Sequence, residues 1–125
     1  MSYYKIMIRA LLIAFVLAAA ASIAAVAQEK FVGGTEDLPL MAGLSEVAGR
    51  GMVFDTPAGR IVEAYASGPV SRDRVLRFYA ATLPQLGWRP DGEAAFRRED
   101  EILKLEFPPP GPGGLTVLFT LAPAR

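Results

Sequence analysis

Residues 71–88, SRDRVLRFYAATLPQLGW, constrain the rest of the chain more than any other stretch. Val75, Phe78, Tyr79, Thr82, Leu83 and Leu86 recur at i, i+3, i+4, i+7, i+8 and i+11, which is one stripe of a 3.6-residue helix. Such a helix has to bury that stripe against a second layer. Ser71 is placed to cap the first turn, since its hydroxyl can accept from an orphan amide. Val70 and Val75 take the two positions of a hydrophobic staple. Asp73 puts a negative charge in the first turn and stands four residues before Arg77. Pro84 removes a donor, but it falls opposite the apolar stripe. The carbonyl it strands, that of Ala80, is expected to face water, and the last turn to bend or fray. Gly87 and Trp88 fit the two positions after a helix, where glycine takes a left-handed conformation and an apolar residue packs back on the last turn, here on Leu83. Leu83 and Phe78 are both expected in the core, each costing roughly 2–5 kcal/mol on truncation to alanine.

The flanking segments read as the second layer. Residues 51–55 (GMVFD) and 60–67 (RIVEAYAS) are strands around the turn Thr56-Pro57-Ala58-Gly59, together a hairpin. In the second strand Val62, Ala64 and Ala66 share one face, Ile61 and Tyr65 the other. After the helix, Trp88-Arg89 opens a strand that Pro90-Asp91-Gly92 turns back. Residues 94–99 and 102–107 are the next two strands, turning at Asp100-Glu101. Phe96 opposite Leu105 places Phe96, Arg98, Leu103, Leu105 and Phe107 on one face, with Arg97 opposite Lys104 as its cost. The run PPPGPGG, residues 108–114, is expected to begin as polyproline II and end as a flexible turn. Residues 115–122 (LTVLFTLA) form the most apolar strand and are expected at the centre, with Leu115, Val117, Phe119 and Leu121 on one face. The fold class is α+β: a single two-layer domain, an antiparallel sheet in the order β-β-α-β-β-β-β with one helix on one face. The second face would carry Arg97, Lys104, Glu106, Thr116 and Thr120.

Residues 28–50 precede this domain. Residues 28–34 are polar and glycine-bearing and are expected to be mobile. Leu38, Leu40, Met41 and Leu44 are too apolar for a free tail. They read either as a strap laid on an edge or the second face of the sheet, or as a segment that docks on a partner.

Residues 1–27 read as a leader. Lys5 and Arg9 precede an unbroken apolar run over residues 10–21, and Ala25-Val26-Ala27 supplies a cleavage site. The alternative is an uncleaved N-terminal membrane anchor. Either form exports the domain to the periplasm or beyond; membrane contact is expected only if the leader is retained. The chain has no Cys, so the domain holds by its core without disulfides in an oxidising compartment. The leader contains two of the 13 basic residues and none of the 13 acidic ones, so the remainder has 11 basic against 13 acidic, a net of −2. That balance argues against nucleic acid as a partner. Oligomeric state is not legible.

The absence of His and Cys removes Ser-His and Cys-His nucleophile pairs and zinc sites built on imidazole or thiolate. No glycine run matches a phosphate loop or a dinucleotide fingerprint. The chain is therefore not expected to be an enzyme, and no catalytic residue, cofactor or metal is assigned. Glu99-Asp100-Glu101 reads as a solvated hairpin turn before a cation site, since it lacks the spacing of a calcium loop. Arg72, Arg74, Arg77, Arg97 and Arg98 are interleaved with acids and read as solvated surface.

The module GRIVEAYASGPVSRDRVLRFYAATLPQLGW, with F-x-R-E and the closing L-T-V-L-F-T-L-A-P strand, resembles a pattern found in small uncharacterised secreted or periplasmic proteins of Gram-negative bacteria. Val75, Phe78, Tyr79, Leu83, Pro84, Gly87 and Trp88 carry the likeness, which spans residues 51–125. It implies a helix docked on a sheet and an exported protein, and brings no catalytic or ligand residue with it. Two functions are compatible. The first is a non-enzymatic module that binds a periplasmic or envelope protein through the second sheet face or through Leu38, Leu40, Met41 and Leu44. The second is a small-ligand or lipid-binding protein with an apolar pocket between helix and sheet, lined by Phe78, Tyr79, Leu83, Trp88, Phe96 and Phe119; it ranks lower, because aromatics at helical spacing are core far more often than pocket.

Overall fold

Ser71 starts the helix: its Oγ accepts from the Arg74 N–H at 3.1 Å. Helix α1 runs over Arg72–Thr82, and Pro84 tightens the next four residues into a 3₁₀ turn, Leu83–Leu86. Proline suits that place, because the first positions of a helical turn need no donor. Ala80, whose carbonyl loses its helical donor to Pro84, is exposed. Gly87 takes φ 90°, open to glycine without cost, and the Trp88 N–H donates to the Leu83 carbonyl at 3.1 Å to close the end.

The computed structural model describes residues 30–124. The strands are β1 Ser45–Glu46, β2 Met52–Thr56, β3 Gly59–Gly68, β4 Arg89–Pro90, β5 Ala95–Arg98, β6 Glu101–Glu106 and β7 Leu115–Pro123. They form one antiparallel sheet in the order β1-β3-β7-β6-β5-β4, with β2 also on β3. Strands β1 and β2 share one edge of β3, opposite Ser67–Ala66 and Gly59–Glu63 respectively. Strand β7 is central, as its apolar run predicts. Helix and sheet make the expected two-layer α+β fold; β1 is the one strand the sequence patterns do not announce.

The layers meet through three rows. Val62, Ala64 and Ala66 of β3, Val117 and Phe119 of β7, and Leu103, Leu105 and Phe96 beyond them are all buried. Val75, Tyr79 and Leu83 descend from the helical layer at 0% exposure. Phe119 has Ala64 on one side and Leu105 on the other. The small alanine leaves room for the Tyr79 ring, which meets Phe119 edge-on at 5.4 Å between centroids. Each large side chain buried this way contributes roughly 1.5–3 kcal/mol.

Four expectations are corrected. First, the turn between β5 and β6 is Glu99-Asp100, with Arg98 opposite Glu101, Arg97 opposite Ile102 and Phe96 opposite Leu103. This two-residue shift keeps every side chain on its expected face, since the pleat repeats every two residues. It replaces a like-charge opposition of Arg97 and Lys104 with an Arg98–Glu101 pair, and Glu99 accepts φ 54° to make the tight turn. Second, residues 30–44 lie beside the helix and not on the second sheet face: Val32, Leu38, Met41 and Leu44 join the same core as Tyr79. Third, the described part of the segment expected to be mobile is tied down, for Val32 is 2% exposed and its N–H is bonded to Leu38. Gln28 and Glu29, like residues 1–27 with their expected leader, lie outside the described residues. Fourth, the proline loop ends in a defined turn, where Gly111 and Gly114 exchange both backbone bonds.

Candidate functional site

The segment before β1 builds the feature of most functional interest. Its first half folds back on itself: the Val32 N–H donates to Leu38 O at 2.8 Å and the Leu40 N–H to Lys30 O at 2.9 Å. Its second half crosses the end of β3. A Cβ on Gly68 would stand 1.9 Å from the Gly43 carbonyl oxygen, so the two backbones meet where no side chain fits. Tyr79 then holds the segment to the helix. Its hydroxyl donates to the Pro39 carbonyl at 2.8 Å and accepts from the Met41 N–H at 3.2 Å. Burial pushes the Tyr79 hydroxyl up to about 12, with the Met41 N–H pulling weakly the other way.

Arg98 supplies a second tie. Its guanidinium donates to Asp37 at 2.7 and 3.4 Å and to the Leu86 carbonyl at 3.2 Å. It also lies 4.3 Å above the Trp88 ring. One side chain of the sheet thus joins the strap, the end of the 3₁₀ turn and the aromatic floor. The hydrogen bond from Arg98 holds the Asp37 carboxyl below its ordinary value, against a smaller opposing effect of burial. The same bond raises Arg98.

Between strap and helix runs an open groove of about 780 Å³. Phe31, Pro39 and Leu40 form one wall, Phe78, Thr82 and Leu86 the other, with Met41 and Leu44 at its base and Lys30 and Asp37 at its rim. Phe31 is 44% exposed and Leu86 37%. The lining offers apolar contact area and two charges of opposite sign. A second cleft, more polar, is lined by Arg89, Arg97, Arg98, Glu99 and Glu101 at the far edge of the sheet.

The residues singled out from sequence separate cleanly. Leu38, Met41 and Leu44 are 3–5% exposed and belong to the core, so of the four candidate docking residues only Leu40 offers a half-exposed wall to the groove. Tyr79, Leu83, Trp88, Phe96 and Phe119 are buried against one another, and neither cleft is lined by any of them. Between helix and sheet these residues form a packed core; Phe78 alone is half-buried and reaches the groove. Phe31 and Leu86 were not singled out as site residues: the first sits in a polar stretch and the second ends a stripe that reads as core. Glu99-Asp100 is the β5–β6 turn, and among the described residues no cluster of three or more acids is placed to hold a metal.

No helix among the described residues is long and apolar enough to cross a membrane. No protein-family model, curated protein or solved structure matches the chain.

Proposed function

We propose that this chain is an exported, non-enzymatic module of the bacterial envelope that binds an apolar segment of another protein in the groove between strap and helix. The observation that carries this reading is the exposure of Phe31 and Leu86 on opposite walls of a groove whose strap is held in place by Tyr79 and Arg98. Interfaces draw their energy from a few aromatic and aliphatic anchors on a rigid base, which is what these residues supply. Export rests on the leader pattern of residues 1–27. A small-ligand pocket beneath the helix is the weaker reading, because the aromatics that would line it pack edge to face, Phe78 on Tyr79 at 4.8 Å and Tyr79 on Phe119 at 5.4 Å.

A photo-crosslinking side chain placed at Leu86 or Phe31 of the full chain, in the producing cell, tests the proposal. A discrete protein adduct is expected at both positions, lost when Leu40→Glu is added, and absent from Lys104 on the opposite sheet face. Adducts confined to Lys104 would move the site to that face. Adducts to lipid alone, or none at all from a folded protein, would overturn protein binding in the groove.

A further inference from the structure

The two outer edges of the sheet differ in a way that points to self-association. One edge is β4, only two residues long, with a proline and with Arg89 directly opposite Arg97. Short length, proline and charge are the usual means of keeping strand edges apart. On the other edge β1 is again two residues, Ser45 and Glu46. Its neighbour β2 has little of that protection. It is five residues long, contains no proline, has Asp55 as its one charge, and leaves Met52, Val53 and Phe54 at 53%, 47% and 45% exposure. Among the described residues it pairs with β3 alone.

The geometry points to β2 as the seam of a two-fold dimer, in which it pairs antiparallel with β2 of a second copy of this chain. A two-fold axis normal to the sheet and centred on Phe54 sets Phe54 against Phe54, Val53 against Asp55 and Met52 against Thr56. No like charges then stand opposite, and an aromatic pair sits at the centre, where cross-strand contacts are closest. Ile61 is already opposite Phe54 within each chain. Pairing would extend that row unbroken across the seam, with Met52 beside it on the same face and Val53 on the other. The other edge cannot do the same, since a two-fold there would bring further arginines beside Arg89 and Arg97.

The chain has no cysteine, so a single introduced thiol reports only contacts between copies. Opposite residues in an antiparallel pair lie about 4.5–5.5 Å apart at Cα, within disulfide reach. Phe54→Cys, treated with a mild oxidant, is expected to give a covalent homodimer, and Arg89→Cys is expected to give none. Wild-type protein purified from cells making the full chain should sediment at twice the monomer mass, and Phe54→Lys, which sets two lysines against each other across the axis, at the monomer mass. Both variants must keep the wild-type circular dichroism spectrum; Val53→Asp, which faces Asp55 of the second copy, serves in place of Phe54→Lys if the latter does not fold. A wild-type monomer at every accessible concentration overturns the proposal. So does a dimer that survives both Phe54→Lys and Val53→Asp, or a Phe54→Cys adduct formed with some other protein in place of a second copy.

Discussion

Tyr79 carries two roles on one ring. Its face fills the core against Phe119, and its hydroxyl bonds two backbone groups of the strap, Pro39 C=O and Met41 N–H. Tyr79→Phe keeps the first and removes the second, leaving both strap groups unpaired. A loss of roughly 1–3 kcal/mol is expected, the cost of stranding buried polar groups. Denaturant unfolding measures it, and faster hydrogen exchange at the Met41 amide would place the damage in the strap. The pH dependence gives a second readout. The folded state keeps the Tyr79 proton up to about 12 against an ordinary 10.0, so the unfolded chain releases it first. This contribution to stability is complete below pH 10.0 and is lost as pH rises toward 12; the Phe variant should lack that share of the alkaline loss. The Trp88 indole is a contrasting case. It is 3% exposed and its N–H has no acceptor among the described residues, so its value to the fold lies in its ring and the Arg98 guanidinium above it.

At the scale of elements, the helix shows how far periodicity reaches. The stripe divides into an inner line, Val75, Tyr79 and Leu83, fully buried, and an outer line, Phe78, Thr82 and Leu86, that borders the groove. Sequence spacing puts both lines on one face and does not rank them; the ranking comes from where the strap lies. Leu83→Ala should therefore cost roughly 2–5 kcal/mol. Phe78→Ala should cost roughly 1–2 kcal/mol, since part of that side chain already meets solvent. Thermal melts of the two variants check this, and equal shifts would mean that the strap does not hold the position described. The strands tell a similar story. Which residues of β5 and β6 face the core follows from alternation, whereas their register depends on one turn. Glu99 adopts a left-handed φ that residue statistics disfavour, and opposite charges at Arg98 and Glu101 reward it.

For the whole molecule, the strap of residues 30–44 is part of the core, joined across residue 50 to the helix and strands that follow. Arg98 and Asp37, 61 residues apart, are one of the links across it. Asp37 has its carboxyl held below the ordinary 3.8, so its contribution is complete above that value and drains away as pH falls through the lower, folded one. The pair is partly exposed, with Asp37 at 52%, and exposed pairs are worth about 1 kcal/mol or less. Asp37→Asn should lower stability by up to that amount at neutral pH and leave a protein whose acid unfolding differs little from wild type once the Asp37 carboxyl is protonated in both folded and unfolded chains. Urea midpoints measured from about pH 7 to pH 2 test the convergence. A gap that stays constant would assign the loss to something other than the ion pair.

Several properties of this protein were settled by its sequence alone, because they depend on neighbours within a few turns or on period. These are the start of α1, the stop at Gly87 and Trp88, the β2–β3 hairpin, the faces of β3, β6 and β7, and the central place of β7. They also include the α+β class, which one amphipathic helix among alternating strands dictates. Tertiary structure decided the features that depend on contacts between distant segments. It put the strap beside the helix, because Tyr79 offers its backbone a donor and an acceptor there and Gly68 lets Gly43 pass. It thereby turned Leu38, Met41 and Leu44 into core and left Phe31, Leu40 and Leu86 to line a groove. It also set β2 at an edge with one neighbour, a position that no local pattern of Met52, Val53 and Phe54 could reveal, since an apolar strand reads the same whether one side is paired or both.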